Sequence, residues 1–190
     1  MRFTTVAVIT LMLILAGCST TQPVATETSA PSPTALPGSV SGSFFAIHEV
    51  GLGSGGYVAL TNFTDQPARL GGLFLCQGAQ CFELPDAEVA AGATVRIAVG
   101  DGAGLDQVVA TKATIGELRP ADGEIGLYTS QDVSDPQAIL KYVQWGSTPH
   151  DNTRVAIEAG LWSEGGFAPS SEKATRIFRD DSGLWLFDEK

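Results

Sequence analysis

Residues 43–190 read as an all-β sandwich, and three observations predict it. Apolar and polar residues alternate in short runs. Glycine, proline, aspartate and asparagine bound those runs every dozen residues or so, and no long segment repeats its apolar residues at the helical period. Short strands joined by turns bury a core by packing two sheets face to face.

The strands are expected at 44–50, 57–62, 73–77, 80–84 and 94–99, then at 124–128, 140–145, 175–179 and 184–187. In Thr94-Val95-Arg96-Ile97-Ala98-Val99 the valines and isoleucine share one face, and Thr94, Arg96 and Ala98 share the other. That is the pattern of a half-buried antiparallel strand. Asp65-Gln66-Pro67, Asp101-Gly102 and Asp122-Gly123 supply turns, because these residue types tolerate or favour bent backbone. One short helix fits at 154–159, with Asp151-Asn152-Thr153 as its capping region and Gly160 as its stop. A chain of roughly 150 residues buries about two thirds of its unfolded surface, enough for one core.

The first 42 residues follow a different plan. Arg2 gives a basic start, residues 6–15 are apolar, and small residues close the segment, as in a secretory signal. The apolar run is about half the roughly 20 residues that a membrane-spanning helix needs, so cleavage is expected after residue 17. Leu15-Ala16-Gly17-Cys18 resembles the lipobox of bacterial lipoproteins, which implies that the Cys18 thiol takes a diacylglyceryl group and becomes the mature N-terminus. Two acyl chains suffice for stable anchoring. Ser19 stands where an aspartate would resemble an inner-membrane retention signal, which points to an outer membrane or cell surface. Residues 18–42 are then a lipidated cysteine and a tether rich in Thr, Ser and Pro, too poor in apolar surface to fold.

The whole chain carries 11 Lys plus Arg against 21 Asp plus Glu; with Arg2 lost in the signal, 10 face 21, a formal charge of −11. The scattered cations supply no clustered phosphate-binding surface, so nucleic acid is not an expected partner. The acidity fits a soluble, exposed surface.

Cys76 and Cys81 flank Gln77-Gly78-Ala79-Gln80, a loop short enough to set the two side chains opposite each other across a hairpin. In an oxidising compartment this predicts a disulfide, worth only about 2 kcal/mol because the closed loop is short. Zinc is an alternative, but C-x4-C needs two further ligands, and His48 and His150 lie far apart in sequence. Free buried thiols would fit a reducing compartment. No metal or cofactor is expected.

From Phe44 onward the residues resemble bacterial lamin-tail domains. Ile47-His48-Glu49-Val50, a glycine loop and Tyr57-Val58-Ala59-Leu60-Thr61-Asn62 are similar to that family's opening. Leu70-Gly71-Gly72-Leu73-Phe74-Leu75, Phe82-Glu83-Leu84-Pro85 and Ala91-Gly92-Ala93-Thr94-Val95 resemble its middle strands and turn. Ile125-Gly126-Leu127-Tyr128 and Tyr142-Val143-Gln144-Trp145-Gly146 resemble its closing strands. The chain departs at Ala59 and Leu73, where the family has an acidic residue or a tryptophan. The resemblance implies an immunoglobulin-like sandwich without a catalytic motif, in modules that bind, adhere or assist outside the cell.

Other motifs fit turns or strands better than chemistry. Gly51-Leu52-Gly53-Ser54-Gly55-Gly56 matches a dinucleotide loop in letters, but a strand pattern follows it where a phosphate-facing helix should begin. Ser170-Ser171-Glu172-Lys173 matches the serine and lysine of penicillin-binding enzymes but follows Pro169 and precedes a strand. His48 and Glu49 are strand neighbours that point to opposite faces. Residues 101–106 and Asp180-Asp181 lack the acidic density of a calcium loop. Trp145, Trp162 and Trp185 are core residues or, less simply, glycan-facing aromatics. The expected function is therefore non-enzymatic. It is a membrane-anchored extracytoplasmic module that binds an envelope protein or glycan through its loops, with an envelope hydrolase as the alternative.

Overall fold

The computed structural model describes residues 44–189; the expected signal segment, Cys18 and the whole tether lie outside the described residues. The chain runs through β1 (Phe45–Gly51), β2 (Tyr57–Asn62), β3 (Ala68–Arg69), β4 (Phe74–Gln77), β5 (Gln80–Glu83) and β6 (Glu88–Val89). It continues through β7 (Thr94–Ala98), β8 (Val108–Ala110), β9 (Gly123–Tyr128), β10 (Ile139–Trp145), α1 (Thr153–Glu158), β11 (Ala174–Arg179) and β12 (Trp185–Glu189). Each strand anticipated from alternation is present, with ends shifted by a residue or two. The pairs β3 and β6, of two residues each, and the short β8 are additional.

Six strands form one sheet in the order β12-β11-β1-β2-β7-β8, four form a second in the order β10-β9-β4-β5, and β3 pairs with β6. All pairings are antiparallel except β7 with β8. The inner faces of the two larger sheets meet in a core that includes Phe45, Val58, Leu60, Leu75, Ile97, Ile125, Leu127, Val143 and Trp145. This is the β-sandwich that the alternating runs predict.

Sequence alternation understates one layer. The side chains of β9 are buried on both faces. Ile125 and Leu127 enter the sandwich core, while Tyr128 joins Cys76, Ile139, Tyr142, Val155 and Ala156 in a second apolar cluster. Helix α1 covers that outer face of the four-stranded sheet, burying Val155 and Ala156. Register partners explain how large rings fit: Trp145 lies opposite Gly123, where an added Cβ would come within 2.3 Å of the indole.

Cys76 and Cys81 are register partners in the β4–β5 hairpin and are joined by a disulfide, with Cα atoms 4.1 Å apart. Gln77 and Gln80 also pair, so the connection is a two-residue turn at Gly78 and Ala79, not a four-residue loop. Gly78 has a φ of +54°, which glycine adopts without steric cost.

Candidate functional site

The β4–β5 turn, the start of β9, the end of β10 and the approach to α1 converge around Glu124, which is 2% exposed. The register places Glu124 directly opposite Gln144. One carboxylate oxygen accepts the Gly78 amide at 3.1 Å; the other accepts the Asn152 amide at 3.2 Å and the Tyr142 hydroxyl at 2.7 Å. Tyr142 also meets the Thr153 hydroxyl at 2.9 Å, and Thr153 donates to Gln144 at 2.6 Å. Gln144 in turn donates to the Gly166 carbonyl, and Asn152 returns a side-chain bond to the Gly78 carbonyl at 2.9 Å. A buried network this complete fixes the relative positions of four segments.

Burial raises the Glu124 carboxyl above its ordinary value, against the opposing pull of the Tyr142 hydroxyl, the His150 charge and the two backbone amides. Burial also raises Tyr142 and Tyr128, and the Glu124 charge adds to both shifts.

Beside this network lies a depression of about 220 Å³ lined by Gln77, Arg119, Asp122, Glu124, His150 and Asp151, among others. Gln77 Oε1 and His150 Nε2 are buried and have no hydrogen-bond partner. A buried polar atom left unpaired costs about 1–3 kcal/mol, and both residues are among those lining the depression. Arg119 and Asp122 form an exposed ion pair at its rim.

A larger depression of about 640 Å³ is lined by Leu52, Gly53, Ser54, Gly55, Pro120 and residues 172–175. Arg119 lines the first depression and the next residue, Pro120, lines this one. The Gly51-to-Gly56 connection is held there by Gly53 donating to the Leu118 carbonyl and Leu52 donating to Thr175. It contains a 3-10 turn, Gly53–Gly55, and leads into β2, so it does not open a helix.

The remaining expected residues are dispersed. Asp101 accepts the Ala103 amide in a turn, and the Asp106 carbonyl accepts from the Arg96 side chain on β7. Asp180 closes the β11–β12 turn by accepting from Ser182 and Leu184. Ser170 donates to the Pro120 carbonyl and Ser171 to Glu189, in a segment that is not helical. His48 is exposed at a bulge in β1, whereas Glu49 is buried against Tyr57 and Arg176. Burial, followed by the Glu49 hydrogen bond and charge, pushes the Tyr57 hydroxyl up to about 12. Trp145 is core and donates to the Arg119 carbonyl, while Trp162 and Trp185 are partly exposed.

Among the described residues, no three His, Cys, Asp or Glu side chains are grouped to hold a metal ion, and no helix is long and apolar enough to cross a membrane. No protein-family model, curated protein or solved structure matches the chain.

The Glu124 network was the part missed from sequence. Its signal was present: Glu124 and Gln144 interrupt two strongly apolar strands, and polar residues at strand positions that later prove buried must find partners.

Proposed function

We propose that this chain is an extracytoplasmic lipoprotein, anchored through acyl chains on Cys18, whose lamin-tail-like sandwich binds an envelope protein or glycan at its loop end. The observation that carries the binding reading is the pair of buried, unpartnered polar atoms on Gln77 and His150 beside a fully hydrogen-bonded hub. A rigid frame with adaptable polar groups at its strand ends is an arrangement suited to recognition. The signal-like N-terminus, the lipobox resemblance and the Cys76–Cys81 disulfide support placement outside the cytoplasm.

The hydrolase reading keeps one specific point in its favour, since Glu124 and His150 line the same depression. Against it, both Glu124 oxygens already accept protein hydrogen bonds, which suits a positioning role better than proton transfer.

The two readings separate in one experiment. Envelope extracts are passed over immobilised wild type and over His150→Ala and Gln77→Ala, and the same proteins are screened with esterase, peptidase and glycosidase substrates. Retention of a defined envelope component by wild type, with loss in both folded variants, is the expected outcome. Turnover that disappears in His150→Ala or Glu124→Gln while the protein stays folded would establish the hydrolase instead.

A further inference from the structure

A third depression, a cleft of about 280 Å³, is lined from β10, β11, β12 and the segment after α1. Lys141, Arg179, Trp162 and Trp185 line it over a floor that includes Tyr142 and Leu161, and no acidic side chain is among its lining residues.

Its two cations stand in a chain with a formal charge of −10. Most arginines elsewhere pair with carboxylates: Arg69 with Asp86, Arg119 with Asp122, Arg154 with Glu158, and Arg176 with Glu49 and Asp188. Among the described residues neither Lys141 nor Arg179 has a carboxylate within 4 Å. Arg179 donates through Nε and Nη2 to the Gly183 carbonyl at 3.1 and 3.0 Å and lies 5.7 Å from the Trp185 ring centre. The Lys141 ammonium lies 5.3 Å from the ring centre of Phe63. Burial lowers the Lys141 pKa, and the charge on Arg179 lowers it further.

A lysine stem covering apolar surface needs no ligand to explain it. Lys141 and Arg179 both line the cleft, and an anion bound there would relieve the repulsion between their like charges. The aromatic wall narrows the choice of anion. Trp162 is held edge-on to Tyr142, with ring centres 5.6 Å apart, and its indole donates to the Gly166 carbonyl at 2.7 Å. Fixed indole faces suit the C–H face of a sugar ring, whereas a bare inorganic ion gains nothing from them. The volume falls just below the ~300 Å³ at which drug-sized sites begin, so it suits a single ring better than a long chain.

We propose that this cleft is a second binding site, which takes a sugar ring carrying a carboxylate: Lys141 and Arg179 hold the carboxylate, and Trp162 and Trp185 hold the ring. Its lining shares no residue with the loop-end depression, although Tyr142 also belongs to the Glu124 network.

The test is a titration of the full-length chain in detergent with digalacturonate, followed by tryptophan fluorescence and calorimetry. Its neutral counterpart galactobiose and inorganic phosphate are run in parallel. Saturable binding of digalacturonate is expected, weakened about tenfold or more by Lys141→Ala, by Arg179→Ala and by Trp185→Ala, and weakened by added salt. Asp101→Ala, in an exposed turn outside the cleft, should leave it unchanged. Lys141→Gln and melting curves for each variant guard against a loss that merely reports unfolding. Absence of saturable binding up to about 10 mM would overturn the proposal. So would equal affinity for galactobiose, or phosphate binding as tightly, which would mark an unselective anion site.

Discussion

Glu124 links the residue scale to the candidate site, because its buried carboxylate joins the β4–β5 turn, β10 and the start of α1. Its pKa is raised from the ordinary 4.5 chiefly by burial, so the folded chain holds this proton more tightly than the unfolded chain does. The resulting contribution to stability is fully present below pH 4.5 and is lost as pH rises through the folded-state value. Wild type should therefore lose stability relative to Glu124→Gln as pH rises above 4.5, measured by urea melts at several pH values. A difference that stays constant or grows with pH would contradict this account of the hub. Asn152 shows why the network was hard to read from sequence. It occupies the N-cap position of α1, as the capping pattern suggested, but its side chain makes no cap bond and instead reaches Gly78, 74 residues earlier. Local pattern identified the helix start, and only the tertiary fold determined the partner.

At the scale of elements, the strands were legible because most bury one face, and a period of two survives in the residue string. Val58 and Ile97, register partners on β2 and β7, are fully buried, and replacing either with alanine should cost about 1–4 kcal/mol in denaturant melts. Changes at exposed Ser54, Asp101 or Asp106 should stay within about 0.5 kcal/mol. The β4–β5 hairpin supports a further expectation: alkylation of the unreduced, denatured protein should leave Cys76 and Cys81 unmodified by intact mass, and both should react after reduction. Other elements escaped the sequence for physical reasons. β3 and β6 are two residues long, too short for alternation to register, and β8 pairs parallel to β7 after a connection, so no hairpin turn announces it. The outer face of β9, carrying Glu124, Gly126 and Tyr128, reads as solvent-facing until α1 is seen to help cover that layer.

For the whole molecule, the sandwich accounts for the described residues 44–189, and the β11–β12 hairpin extends its six-stranded sheet. A strongly acidic domain on a proposed lipid anchor has a consistent physical logic. Under that proposal, acyl chains on Cys18 would supply membrane affinity that a net charge of −10 would oppose on an anionic surface. Export and anchoring at Cys18 are the premise on which the binding proposal and the oxidised hairpin both depend. The direct measurement is metabolic labelling with a radioactive fatty acid, followed by membrane fractionation, of wild type and Cys18→Ser. The account predicts a labelled, membrane-bound wild type trimmed before residue 18, and an unlabelled variant that is released or left unprocessed; a variant that labels, fractionates and matures like wild type would contradict it.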